Sequence, residues 1–265
     1  MSLYDIKKSL EILGLFEKST NAMKLVSLSL HHQLKKIIPE FKEKFNANTA
    51  IIENYFNVTV IDGQRAFIFI SSDRGFCGDY VNNMFHQFEK IYAEYQETVF
   101  YIIIGKMLIH KIESNKYKTN KIISIISFKM DKFAAIYEQI VTICKEQNIT
   151  FLSAFYTEAL SISNRLIYEY SFHADYKNYA IKKNFSTGHF DSEPMIVLFF
   201  NYFFISFIFH IFYQSLFAEQ GARFIAMDAA LTNTHEAIDK NKKLYFKVRQ
   251  QKINNQLQDL VSSLL

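Results

Sequence analysis

Apolar positions fall in two long periodic stretches at the ends of this chain and in short unbroken runs between them. From about residue 194 to residue 265 nothing interrupts a helix: no Pro follows Pro194, and the one Gly is Gly221. At about 1.5 Å per residue such a helix would run roughly 100 Å, which predicts a rod projecting well beyond a globular domain of this size. Phe217, Phe224, Leu231, Ile238 and Tyr245 recur every seven residues, with Met227 and Val248 on the companion positions. Gln220, Thr234 and Asn241 share those companion positions. After Val248 the register slips, and Ile253, Leu257, Leu260 and Leu264 resume a four-three-four spacing. A seven-residue apolar repeat marks a helix wound round another helix.

The N-terminus supplies the expected partner. Leu3, Ile6, Leu10 and Leu13 are spaced three, four, three. After one short step Phe16, Thr20, Met23, Ser27, Leu30, Leu34, Ile37 and Phe41 continue the pattern, with Ala22, Ser27 and Ser29 small enough for close approach. Pro39 should kink or end this helix. The pattern predicts an antiparallel coiled coil of residues 1–45 and 194–265, carrying a compact domain of residues 46–193. The competing arrangement, in which both helices merely cover one sheet, does not need helices so long.

Between the helices the period changes. Residues 46–64 are polar and less regular, with a turn at Asp62-Gly63. AFIFIS (66–71), VFYIII (99–104) and KIISIISF (121–128) read as buried strands. Helices are expected over 77–97, where Tyr80, Met84, Phe88, Ile91 and Tyr95 share a face, over 106–113, and over 131–147 with Asp131 as cap. Residues 149–157 and 165–172 form two further strands around a short polar link, a hairpin at the sheet edge. Residues 174–193 are polar and loose. The alternation of strand and helix gives an α/β fold, an open, mostly parallel Rossmann-like sheet beside the long antiparallel coiled coil.

Composition narrows the chemistry. Seven Gly and two Pro in 265 residues favour long regular elements. The charge of +4 is spread out, so no basic block marks a nucleic-acid partner. Cys77 and Cys144 lack a metal-type spacing and suit a reducing compartment. The first ten residues are charged and amphipathic, unlike a secretory leader. The segment SSDRGFCG (71–78) follows a strand and precedes a helix, where parallel sheets often hold a phosphate. It matches neither the three-glycine dinucleotide fingerprint nor a P-loop. The eight His residues are dispersed, and no nucleophile, base and acid can be grouped. The expectation is a chain without catalytic residues, metal or cofactor.

Three segments, KSTNAMKLVS (18–27), SSDRGFCGDYVN (71–82) and AEQGARFIAM (218–227), resemble the gamma subunit of F-type ATP synthases. The tail TNTHEAIDKNKKLYFKVRQQKINNQLQDLV (232–261) is the most specific part of the resemblance, and residues 100–215 share only the element order. The resemblance implies a central rotor shaft inside a ring of catalytic and noncatalytic subunits. It also implies an epsilon-like stalk partner, a rotor ring or specialised lower partner, and a cytoplasmic place peripheral to the cell membrane. By the same resemblance Arg249 and Gln250, with Asn254 and Gln256 nearby, contact the catalytic ring from the upper shaft. Met23 and Arg223 would face the lower lobes of the ring, and Asp73, Arg74, Gly75, Cys77 and Gly78 would contact a partner at the foot.

Three departures stand out. The family's Cys-Gly-Gly becomes Cys77-Gly78-Asp79, Pro39 comes about one turn early, and MIVLFFNYFFISFIFHIFYQSLF (195–217) carries no charge. That stretch is long enough to span a bilayer. Polar residues interrupt it and no Lys/Arg cluster flanks both ends, so burial by protein is the expected reading. The aromatic stretch and altered loop leave room for an alternative: a gamma-like shaft in a specialised F-type-like ATPase driving another process, such as bacterial gliding motility.

Overall fold

The computed structural model describes residues 2–58, 63–117, 120–125, 128–173, 179–181 and 193–264. The expected Asp62-Gly63 turn, the end of the third predicted strand at 126–127 and most of the loop at 174–193 lie outside the described residues. The chain divides into two compact units, Met1–Ser27 with Phe224–Leu265, and Leu28–Arg223. Helix α1 is Leu3–Tyr55 and helix α5 is Glu193–Leu264.

In the second unit the strands β2 (Gln64–Ile70), β3 (Phe100–Ile104), β4 (Ile122–Ile125), β5 (Ile149–Ala159) and β6 (Arg165–His173) form one sheet in the order β4-β3-β2-β5-β6. The first four are parallel, and β6 closes the edge antiparallel to β5, as the hairpin predicts. A short pair, β1 (Phe56–Val58) with β7 (Tyr179–Ile181), stands apart. Side chains alternate between faces. Phe67, Phe69, Tyr101, Ile103 and Phe155 point toward α2 (Tyr80–Tyr95) and α3 (Lys106–Ser114). Ile68, Ile70, Ile102, Ile104 and Leu152 join α4 (Phe133–Glu146), α1 and α5 on the other face. A sheet covered on both sides explains why its strands read as unbroken apolar runs rather than alternating ones.

The aromatic stretch of α5 fills that second face. Phe207, fully buried, meets Tyr170 and Phe172 of β6 and Phe45 of α1. Phe209 meets Phe41 and Phe133 at tilted and edge-on angles, and Phe204 lies tilted against Tyr137. The sheet, α1 and α4 therefore occupy the many directions these rings point in. Met195, Leu198, Tyr202 and Ile205 remain exposed, spaced three, four, three along α5.

Several sequence expectations are corrected. Helix α1 runs through Pro39 to Tyr55 instead of ending there, and residues 46–55 are helical rather than irregular. Pro39 is exposed, so the carbonyl of exposed Lys35 that it leaves unbonded can face water. Phe45, Asn48 and Ile52 keep the helix on the core. Asp131 does not cap α4: it lies in a 3-10 turn, Met130–Lys132, and Lys132 precedes the helix without a side-chain cap bond.

The buried face of α1 also differs from the apolar one. It follows an unbroken three-four rhythm through Leu3, Ile6, Leu10, Leu13, Glu17, Thr20, Lys24, Ser27, His31, Leu34 and Ile38. Phe16 and Met23, expected on the seam, are 48% and 39% exposed, and the small residues Ala22 and Ser29 are exposed too. Glu17 and Lys24 hold seam positions because α5 supplies charged partners, and His31 stacks on Phe217 at 4.1 Å. In the first unit Glu17 meets His235 at 2.9 Å and Lys24 meets Asp228 at 2.5 Å. Seven residues on in α1 correspond to seven back in α5, which makes the pair antiparallel.

His210 carries a pH dependence. Its ring is stacked on Phe45 at 4.4 Å and meets Tyr156 edge-on, and its Nδ1 has no partner. Burial, aided by nearby Lys42, lowers its pKa to about 4. Lys42 is itself paired with Glu158, the carboxylate beside this site. His210 stays neutral when folded and titrates near 6.5 when unfolded, so stability is full above pH 6.5 and is lost as pH falls toward 4. Urea midpoints should give about 2 kcal/mol less stability at pH 5 than at pH 7 from this group, and His210→Phe should remove that part of the slope. An unchanged slope would count against a neutral buried His210.

Candidate functional site

Two places gather the residues that the sequence singles out. The first lies in the second unit, at the carboxyl end of β2. The loop at 71–79 rests on one turn of α5 where Ala218 and Ala222 are almost fully buried against Cys77, Tyr80 and Val81. Gly221 faces the hairpin link, and a Cβ there would come 3.5 Å from the Ile162 carbonyl oxygen. The small residues AxxGA let loop, hairpin and helix approach closely.

Polar bonds hold the approach. The Ser72 hydroxyl lies 2.5 Å from Glu219 Oε1 and accepts from Arg223 Nη2 at 3.1 Å and from the Arg74 amide at 3.1 Å. Arg223 also bridges to Glu219 at 2.5 Å and reaches the Arg74 carbonyl oxygen at 3.4 Å. Tyr80 donates to the Ser215 carbonyl oxygen at 3.0 Å. Burial raises the pKa of Glu219 while Arg223 opposes it, and burial pushes the Tyr80 phenol and the Cys77 thiol up as well. Cys77 therefore stays a thiol and packs as an apolar side chain. A carboxylate facing the Ser72 hydroxyl is the wrong charge for a phosphate, although the position is one where open α/β sheets bind them.

The foot residues divide by role. Asp73 accepts from the Lys106 amide at 3.2 Å and the Phe128 amide at 2.7 Å, bracing the loop to the start of α3. Arg74 and Gly78 are exposed, Gly75 is half-buried and Cys77 is buried. Phe76 has no signal in the sequence: it is 64% exposed with φ +62, a strained backbone for a large residue. It borders a surface hollow of about 450 Å³ lined by Val81, Met107, His110 and Lys111. Ser72 and Glu219 are likewise not singled out by the sequence. The one signal for Glu219 in the sequence is its spacing of four from Arg223 beside Ala218, Gly221 and Ala222.

The second place is the far part of α5 in the first unit. Met227, Leu231 and Thr234 are buried, and Ile238, Asn241, Tyr245 and Val248 are half-buried, all in the predicted seven-residue register. Beyond Val248 the described side chains are exposed. Twenty-one residues back from Lys24 reach Leu3, the start of α1, and twenty-one forward from Asp228 reach Arg249. The seam thus ends where α1 begins. Arg249, Gln250, Asn254 and Gln256 are all exposed on this extension, as are Ile253 at 45% and Leu257 at 55%. Met23 is exposed on α1 in the same unit. Arg223 is not brought together with them: its side chain is 10% exposed in the network at the loop after β2. Among the described residues no group of three or more His, Cys, Asp or Glu side chains is placed to hold a metal ion.

The family model described as ATP synthase matches residues 2–264. The ATP synthase gamma chain of Rickettsia typhi is 26% identical over 258 residues, covering 84% of this chain and 85% of that one. The mitochondrial ATP synthase subunit gamma of Yarrowia lipolytica is 25% identical over 278 residues, covering 98% of this chain and 90% of its own. A chain in the OSCP/F1/c-ring structure of the Euglena gracilis mitochondrial ATP synthase has a similar fold, with a TM-score of 0.74 at 13% identity over 99% of this chain and 93% of that chain. A chain in the central stalk and c-ring structure from Tetrahymena thermophila gives a TM-score of 0.58 at 16% identity over 80% of this chain and 98% of that chain.

Proposed function

The chain belongs to the ATP synthase gamma-subunit family, matched from residue 2 to residue 264, and from this we propose that it is the central rotor shaft of an F-type rotary ATPase. It is a non-catalytic subunit. The observation that carries the reading is the end of α5, which continues past the start of α1 with polar and apolar side chains exposed. Ile253, Leu257 and Val261 lie there at 45%, 55% and 59% exposure, a surface suited to an enclosing sleeve of protein.

An asymmetric helix pair inside a pseudo-threefold ring touches each catalytic subunit differently. It favours a different conformation, and so a different nucleotide affinity, in each. Rotation permutes these preferences, and hydrolysis in the ring drives rotation in return, since coupling between sites is reciprocal. The partners are the catalytic and noncatalytic ring subunits, an epsilon-like stalk subunit and a rotor ring or other lower partner. The complex sits peripherally on the cytoplasmic side of the cell membrane. Met23, Arg249, Gln250, Asn254 and Gln256 are the proposed ring contacts.

Arg249→Ala with Gln250→Ala should lower ATP turnover of the assembled complex while the chain stays folded. Removing a strong charge-assisted hydrogen bond to the ring should cost on the order of 1.5–3 kcal/mol. Turnover and single-molecule rotation of the complex check it, and full activity in a correctly assembled complex would reject these contacts.

One observation favours a second reading, in which the same shaft drives a process other than proton movement. Met195, Leu198, Tyr202 and Ile205 expose an uncharged stripe at the start of α5. Identifying the proteins that purify with the complex separates the two readings.

A further inference from the structure

We infer that Glu219, with Arg223 and Ser72, is a register-fixing latch between α5 and the sheet, through which rotational load passes; this rests on the rotary reading above. Most of the contact between α5 and the sheet is aromatic. Apolar packing resists separation but has little directional preference, so under a tangential load a helix can slide or roll over it. The turn at 215–223 is different. Tyr80 and the Thr157 amide bond Ser215, at 3.0 and 3.4 Å, and Ser72 meets both Glu219 and Arg223. These bonds tie one face of α5 to three places on the sheet: the loop after β2, the first turn of α2 and the far half of β5.

The node is closed. Glu219 Oε1 takes the Ser72 hydroxyl and an Arg223 N–H, and Gln220 Nε2 lies 3.5 Å from Oε2. Arg223 spends its remaining reach on Gln220 Oε1 at 3.3 Å and on the Arg74 carbonyl oxygen. The Glu219 and Arg223 side chains are 5% and 10% exposed. A buried ion pair of this kind adds little net stability over an apolar replacement, because desolvation offsets its attraction. Its best-attested use is to specify one register and penalise others, since displacement leaves a charge buried and alone. Ala218 and Ala222 beside it let loop and helix come close enough for the short bonds. Glu219 is therefore a positioning residue: it acts by holding Arg223 and Ser72, not by touching nucleotide.

The test uses the intact complex with a probe on the exposed face of α2, attached through Lys90→Cys. Cys77 is buried, and burial raises the thiol of Cys144 to about 12, so both label poorly. In Glu219→Leu and Ser72→Ala, unloaded ATP hydrolysis should stay within about twofold of the parent, while torque at the α2 probe should fall below about half, because only the loaded path crosses the node. The paired exchange Glu219→Arg with Arg223→Glu should restore part of that torque. Torque unchanged in Glu219→Leu, or hydrolysis and torque falling in parallel, overturns the latch. If Glu219→Leu does not assemble, Ser72→Ala and Glu219→Gln, which keep the packing, give the same two readouts. A parent complex whose α2 probe does not turn during hydrolysis rejects the rotary reading itself rather than the latch.

Discussion

Phe207→Ala should destabilise the chain by about 3–5 kcal/mol, the range for deleting a large buried aromatic ring. Phe207 has no exposed surface and contacts the rings of Phe172 at 4.6 Å, Tyr170 at 5.5 Å and Phe45 at 6.2 Å. It stands on α5, a helix of 72 residues, and faces β6 of a five-stranded sheet. Neither element can collapse into the space left, so a cavity term adds to the lost transfer energy. Leu198→Ala, at a position 66% exposed on the same helix, should cost well under about 1 kcal/mol. Denaturant midpoints of the two variants compare these directly. Equal effects would mean that the aromatic stretch is not buried by the sheet. Phe207→Lys should prevent folding, because its neighbours Phe45, Tyr170 and Phe172 offer rings rather than a carboxylate, and an unpaired buried charge is more costly than a cavity.

Gly105→Ala should be nearly as damaging, on the order of 3–5 kcal/mol, by a backbone route. Gly105 joins β3 to α3 with φ +109, a conformation that side chains avoid. A Cβ there would lie 2.4 Å from the Ser71 carbonyl oxygen and 3.1 Å from that of Ser72. The obstacle is backbone, so no rotamer change relieves it. Relief requires moving either α3 or the loop that carries Ser72. The Ser72 carbonyl oxygen accepts from the Met107 amide at 3.0 Å, one of the bonds that movement would break. The thermal midpoint of Gly105→Ala should fall strongly, and rotational torque should fall with it in any complex that still assembles. A midpoint within a degree or two of the parent would contradict this geometry.

Much of the architecture is legible in residue order alone. The seam of α5 from Met227 to Val248 is periodic in the sequence and buried in the same rhythm, because apolar residues there meet α1 and nothing else competes for them. The strands are legible because both sheet faces are covered, which makes AFIFI and FYIII apolar at every position. The family likeness rests on the same local text, since 71–82 and 218–227 are contiguous segments whose residues do not need the fold to be recognised.

Only tertiary structure decided the rest. On α1 the apolar residues Phe16 and Met23 promise a seam, yet Glu17, Thr20, Lys24, Ser27 and His31 occupy it. Apolar periodicity fails there because His31 stacks on Phe217 and because a charged seam residue, Glu17 or Lys24, is acceptable once its partner is in place. Those partners, His235 and Asp228, lie more than two hundred residues away. Pro39 fails as a stop for a related reason: packing of α1 on the core outweighs one missing hydrogen bond. The latch is the clearest case. Ser72 and Glu219 are 147 residues apart, and nothing near either one predicts the other. Their meeting depends on α5 crossing the carboxyl end of β2 at small residues, Ala218, Gly221 and Ala222, and that crossing is a property of the packed sheet and helix rather than of either segment.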